Sequence, residues 1–144
     1  MERSLVLLKP DAVERGLSGA IIDRLEKLGL KLTGLKLLRM DEALAKKHYA
    51  PHSHKPFFPG LVSYITSGPV VAAVFEGDKA VGKVRKVMGA TDPSQAESGT
   101  IRGDYGLDIE RNTIHGSDSV ATAEQELRLF FSQGELFNYQ LHSA

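Results

Sequence analysis

Within NTIHGSDS, residues 112–119, one imidazole sits among an asparagine, a glycine, two serines and an aspartate. A core histidine would sit among apolar neighbours, and a zinc ligand would have companions at helical spacing; His115 has neither. A neutral imidazole is a nucleophile or proton carrier near pH 7, and small polar neighbours leave room for a bulky group to reach it. Five further side chains could supply that group's binding site. Lys9 follows the first apolar run, Arg85 flanks a helical stripe, Thr91 and Arg102 lie in a glycine-bearing stretch, and Asn112 stands three residues before His115. Each alone reads as a solvated surface group. Three cations and two neutral hydrogen-bonding groups gathered on one histidine would instead form a polyphosphate site, because guanidinium forks grip phosphate oxygens in pairs and a lysine adds a point charge.

Three other patterns are weaker. GDKAVGKV, residues 77–84, fits G-x-x-x-x-G-K, but Val84 stands where a P-loop needs a hydroxyl for Mg²⁺. Ala80 and Val81 moreover belong to an apolar stripe that continues to Met88, whereas a P-loop stays open to its second glycine. His48, His52 and His54 could suggest metal binding, yet no other ligand type clusters there, and PHSHKP reads as an exposed turn. Ser117 lacks the G-x-S-x-G setting of a hydrolase nucleophile.

The elements that must position these groups follow from periodicity. Ser4–Leu8 is a short apolar run closed at Lys9-Pro10-Asp11, a buried strand and a turn. Leu17, Ala20, Ile21, Leu25 and Leu28 mark one face of a helix ending at Gly29. The alternation from Leu30 to Leu37 changes phase at Gly34, which predicts a strand with a bulge. Asp41 caps a helix running to Tyr49, and PFFPGLVSYITSG forms a second, the two making a helical hairpin. Residues 69–75 are a strand buried on both faces, and 80–88 a helix. Residues 89–114 are a long loop, Ser119–Glu126 a helix, and LRLFF (127–131) the last strand. The predicted architecture is α+β, an α/β sandwich: a ferredoxin-like βαββαβ order with an inserted helical hairpin and a long loop before His115. That layout serves many functions, including non-catalytic nucleotide- or nucleic-acid-binding modules, so it decides nothing alone.

Seven motifs carry a resemblance. KPDA (9–12), HY (48–49), PFFPGLV (56–62), TSGPV (66–70), GATDP (89–93), GTIRGD (99–104) and NTIHGSDSV (112–120) occur in the order found in nucleoside diphosphate kinases. The chain resembles that family from about Arg3 to Phe131, and N-x-x-H-G-S-D-S is highly specific by itself. The resemblance implies ping-pong transfer of a γ-phosphoryl group from a nucleoside triphosphate to a diphosphate through a phosphohistidine on His115. It implies that Lys9, Tyr49 and Asn112 hold the ribose hydroxyl and phosphates, and that Arg85, Thr91 and Arg102 hold the phosphate tail. Phe57 would stack on the base with Ile109 on its other face. Glu126 would hydrogen-bond the far nitrogen of His115, while Gly116, Ser117 and Asp118 support the site. His115, Glu126 and Lys9 are thus the expected catalytic set. Mg²⁺ is the implied cofactor, carried by the substrate phosphates with no metal ligand expected from the protein. A homo-oligomer is implied, hexamer or tetramer. The chain departs from the family pattern at Lys55, usually arginine, and at Ser98, often proline.

Composition sets the remaining bounds. At 144 residues one domain spanning 1–144 is expected, with enough chain to bury a sizeable core. Eighteen basic and eighteen acidic residues cancel, so no global field draws nucleic acid or anionic lipid, and anion binding must come from local clusters. The absence of cysteine removes disulfides and thiolate metal sites. Only four consecutive apolar residues precede Lys9, too few for a signal peptide or a membrane span; no membrane partner and a cytoplasmic location are expected.

Overall fold

The computed structural model describes residues 1–142. Its frame is a four-stranded antiparallel sheet of β1 (Glu2–Leu8), β2 (Lys31–Leu38), β3 (Val70–Gly77) and β4 (Ile114–Gly116), in the order β2-β3-β1-β4. This is the ferredoxin-like arrangement. Around it lie α1 (Pro10–Glu14), α2 (Ser18–Glu26), α3 (Glu42–His48), α4 (Phe58–Ile65), α5 (Ala80–Met88), α6 (Ile101–Tyr105) and α7 (Val120–Phe130).

Both faces of the sheet are covered, which is why β1 and β3 are apolar on successive residues rather than alternating. Val6, Leu8, Ala73 and Phe75 pack against Ile21 and Leu25 of α2, Val84 and Met88 of α5, and Ile101 of α6. Leu5, Leu7, Ala72 and Val74 pack against Ala45 of α3, Val62 and Ile65 of α4, and Leu127 and Phe130 of α7. Successive strand residues point to opposite faces, so one strand feeds two cores.

Several predicted elements hold. The register of β2 on β3 slips between Leu32 and Gly34, where the change of phase predicts a bulge. A Cβ on Gly34 would lie 2.8 Å from Leu136 Cδ2 and 3.1 Å from Phe131 Cε1, so a side chain there would collide with the chain beyond α7. Asp41 caps α3, its Oδ1 accepting from the Leu44 amide at 2.7 Å. The hairpin of α3 and α4 is present.

Four readings need correction. Pro10 opens a short helix, α1, rather than a turn; proline suits a helix start because its missing N–H would have had no partner there. The predicted loop 89–114 contains α6 and a single helical turn at Pro93–Gln95. LRLFF is no strand. Ala123, Glu126, Leu127 and Phe130 form one buried stripe, so α7 continues through the segment to Phe130. The fourth strand is Ile114–Gly116, which pairs with β1 as Leu8↔Ile114, Leu7↔His115 and Val6↔Gly116. The tail, for which the sequence offers no reading, runs along the outer strand: the Phe137 amide donates to the Thr33 carbonyl at 2.9 Å, and Lys31 Nζ reaches Asn138 Oδ1 at 2.8 Å.

Candidate active site

The pairing of β4 with β1 decides where the histidine points. Directly opposed residues in an antiparallel pair share a face. His115 opposes Leu7, so its ring lies on the face covered by α3 and α7. There Glu126, on α7, meets it: His115 Nε2 is 2.9 Å from Glu126 Oε2. The other carboxylate oxygen accepts from Ser117 Oγ at 2.7 Å, and Ser117 Oγ in turn accepts from the Leu5 amide at 3.1 Å. Burial would raise the Glu126 pKa, but the hydrogen bonds from His115 and Ser117 outweigh it and hold the carboxyl below its ordinary value. With Glu126 an ionised acceptor, the hydrogen on the histidine belongs on Nε2. Among the described residues Nδ1 makes no hydrogen bond, and the side chain keeps 24% of its surface open.

Gly116 faces the other way. A Cβ there would come within 2.4 Å of Met88 Sδ and 3.0 Å of Val84 Cγ1 on α5. A side chain there would collide with the helix beneath, a second reason for glycine beside its place in the lining of the cavity. Asp11 in α1, not singled out in the sequence, pins the strand's entry. Its buried carboxylate accepts from Thr113 Oγ1 at 3.0 Å and from the Tyr64 hydroxyl. Thr113 is held at φ 80°, a costly conformation for a branched residue that the surrounding contacts must over-determine.

His115 opens into a cavity of about 460 Å³. Lys9, Tyr49, Arg85, Thr91, Arg102, Ile109, Asn112, Gly116, Asp118 and Glu126 all line it, so chain segments more than a hundred residues apart converge on one space. Lys9 Nζ donates to Asn112 Oδ1 at 2.8 Å, and the Asn112 amide nitrogen donates to the Thr91 carbonyl at 3.0 Å. Burial, and next the charge on Arg102, push Lys9 down to about 8. Arg102 is buried with its two terminal nitrogens on the Gly89 carbonyl at 3.1 Å and the Ile114 carbonyl at 2.7 Å, and among the described residues its Nε has no partner. Burial and then Arg85 lower its pKa to about 10. Cations driven into such a cavity against their own desolvation call for an anion to offset it. Arg85 and Thr91 are exposed on the rim.

The two expected base contacts stand outside this charged floor. Ile109 is 60% exposed and lines the mouth; Phe57 is 52% exposed and meets the mouth through His52, ring centroids 5.9 Å apart. Ser117 is fully buried with its hydroxyl committed, which removes it as a nucleophile. The P-loop reading of GDKAVGKV fails, because α5 begins at Ala80 and runs through Gly82. Within PHSHKP, His54 is exposed as expected and His52 is half-buried, while His48, at the end of the preceding helix, is buried against His115. Residues read as an amphipathic helix end gave no sign of that contact. The ligand atoms of His48, His115 and Glu126 lie within 4.8 Å of one another, but both Glu126 oxygens are already engaged by His115 and Ser117, a closed hydrogen-bonded set.

The sequence profile of the family described as nucleoside diphosphate kinase matches residues 2–136. A nucleoside diphosphate kinase of Dehalococcoides mccartyi is 66% identical over 139 residues, 96% of this chain and 98% of the relative. The solved structure of a halophilic nucleoside diphosphate kinase from Halobacterium salinarum in complex with CDP superposes with a TM-score of 0.95 at 55% identity, covering 97% of this chain and 93% of that one. The Aquifex aeolicus nucleoside diphosphate kinase superposes at 0.93 with 41% identity, covering 94% of this chain and 99% of that one. With its sequence and its fold matched over more than nine-tenths of its length in this way, the chain belongs to the nucleoside diphosphate kinase family, enzymes that move phosphoryl groups between nucleotides.

Proposed function

We propose that the chain carries the γ-phosphoryl group of a nucleoside triphosphate to a nucleoside diphosphate by way of Nδ1 of His115. The observation that carries this reading is the pairing of His115 Nε2 with Glu126, which fixes the tautomer and leaves the lone pair of Nδ1 for attack. In the first half-reaction an N–P bond forms at Nδ1 while the bond from the γ-phosphorus to the β–γ bridging oxygen breaks. The electron pair leaves with the diphosphate. In the second, a different diphosphate attacks the phosphohistidine and restores the imidazole. The transition state is loose, so charge stabilisation and alignment supply most of the rate. Lys9, Arg85 and Arg102 offer that charge, with Thr91, Asn112 and Tyr49 as hydrogen-bonding partners for phosphates and ribose. Phe57 and Ile109 hold the base between them.

Mg²⁺ is proposed as the cofactor, borne on the substrate phosphates, where it neutralises charge. The lining fits an ion that arrives on the phosphates rather than one held by the protein: Lys9, Arg85 and Arg102 would take the phosphate oxygens, and both Glu126 oxygens are already engaged. A homo-oligomer, hexamer or tetramer, is supported by β2, one of the two edge strands of the sheet, with Leu35 and Leu37 exposed on it. Among the described residues no helix is long and apolar enough to cross a membrane, and we place the chain in the cytoplasm. The nucleic-acid-binding alternative is disfavoured because helices cover both sheet faces, leaving no open platform for bases to stack on.

The test is labelling with Mg-ATP and no acceptor. One acid-labile, base-stable phosphoryl group per subunit is expected, discharged by any nucleoside diphosphate and absent in His115→Ala. Labelling that survives His115→Ala refutes the assignment.

A further inference from the structure

His48 ends α3 with its side chain 1% exposed, and among the described residues neither ring nitrogen has a hydrogen-bond partner. Leaving a buried polar group unsatisfied costs about 1–3 kcal/mol, so an orphan imidazole is an unfavourable way to fill space. Its surroundings are specific. The ring stands edge-on to that of His115, with centroids 4.7 Å apart and planes at 86°, and also edge-on to Tyr49 at 4.7 Å and Phe130 at 5.5 Å. His48 Nδ1 is 3.6 Å from Glu126 Oε2, the oxygen that receives the His115 hydrogen bond. Glu126 fixes His115 at one atom, which leaves the ring free to rock about that hydrogen bond. A perpendicular wall packed against the ring removes this freedom.

We propose that His48 is a positioning residue for phosphoryl transfer, its ring holding the plane of the His115 imidazole so that Nδ1 stays aimed into the cavity. The inference rests on the reading of His115 as the nucleophile. An edge-to-face aromatic pair prefers this geometry over a stacked one, so the contact is directional as well as bulky. Tyr49 and Phe130 also pack edge-on against His48, so the wall is itself held in place. An imidazole suits the place better than a benzene ring in one respect, because it turns a polar edge toward the Glu126 carboxylate. It must also stay neutral there, since positive charge grows on His115 during the transfer. Burial, and then the neighbouring His115, lower its pKa to about 3.

The test compares two apolar replacements of similar bulk, only one of them flat. Single-turnover phosphorylation by Mg-ATP is measured with the affinity for ADP. His48→Leu is expected to slow phosphorylation by about 10²-fold, the order that a small misalignment of the attacking atom costs, with ADP affinity changed by less than about threefold. His48→Phe, which restores a perpendicular ring, is expected to stay within about fivefold of the parent. A rate for His48→Leu equal to the parent's, a His48→Phe variant as slow as His48→Leu, or a rate loss matched by lost affinity would each overturn the proposal. Should a variant not fold, ¹³C relaxation of the His115 ring in the unaltered protein decides. A ring as rigid as the backbone without nucleotide is expected, and a mobile one overturns the inference. His115→Ala serves as the control: persistent labelling there fails the nucleophile reading itself, whereas normal labelling in His48→Leu fails only the positioning role.

Discussion

Lys9 shows how one residue links the fold to the pH behaviour of the site. Its ammonium is buried, bound to Asn112, and lowered to about 8 by desolvation and by Arg102. The folded chain therefore gives up this proton before the unfolded chain does, so Lys9 makes stability rise with pH from about 8 toward the ordinary lysine range near 10.4. Function runs the other way, since phosphate needs the cation. We expect kcat/KM, which reports free-enzyme ionisations, to fall as pH rises through about 8, and the fall to be absent in Lys9→Arg. A profile flat to pH 9.5 in the parent would exclude a charged Lys9 from the reaction. Arg102 combines the same two roles. Its hydrogen bonds to the Gly89 and Ile114 carbonyls tie the approach to β4 together, while its guanidinium lines the cavity. Arg102→Ala should lower single-turnover rate by about 10²–10³-fold, the usual worth of a charge-stabilising donor. It should also cost about 1–3 kcal/mol in denaturant unfolding, because buried carbonyls lose their partners. Loss of stability with an unchanged rate would reduce the residue to a strut.

Elements place these residues by close approach. The histidine strand is held from below by α5, from the side by β1 and from above by α7. Gly116 is where the first contact is tightest, with Met88 Sδ 2.4 Å from an added Cβ. Gly116→Ala should destabilise by about 1–3 kcal/mol through overpacking. Much of that should return in the double variant with Met88→Ala, as residues in direct contact couple. Chemical denaturation checks both; additive losses would show that the clash is relieved elsewhere. The α6 segment is anchored in its turn by Arg24, whose guanidinium lies 2.8 Å from Asp104 and over the Tyr105 ring at 4.7 Å. That anchor holds the helix from which Arg102 reaches the cavity floor.

For the whole molecule, the separation of a charged floor from an apolar mouth governs specificity. On the proposed reading every nucleotide would present the same phosphates to Lys9, Arg85 and Arg102, whereas the base would meet Phe57 and Ile109, both exposed. Stacking accepts any base, and strong discrimination needs buried polar groups left unpaired by the wrong substrate. We expect kcat/KM for ADP, GDP, CDP and UDP to agree within about 10²-fold; a preference near 10⁴-fold would contradict an open mouth.

What the sequence by itself determined was local or periodic. The capped helix after Asp41, the bulge at Gly34, the stripe from Ala80 to Met88, the doubly buried strand at 69–75 and the motifs around His115 are all patterns within a few residues of one another. The fold class and three of the four strands followed from their order. Tertiary structure alone decided the rest. A three-residue strand has too few side chains to show alternation, so β4 exists only through its pairing with β1. LRLFF fits helix and strand equally by pattern, and the buried stripe beginning at Ala123 on α7 resolves it. Nothing near Gly116 in the chain announces Met88, and nothing near His48 announces His115, because those contacts are made across the fold between surfaces that meet only once the sheet is covered.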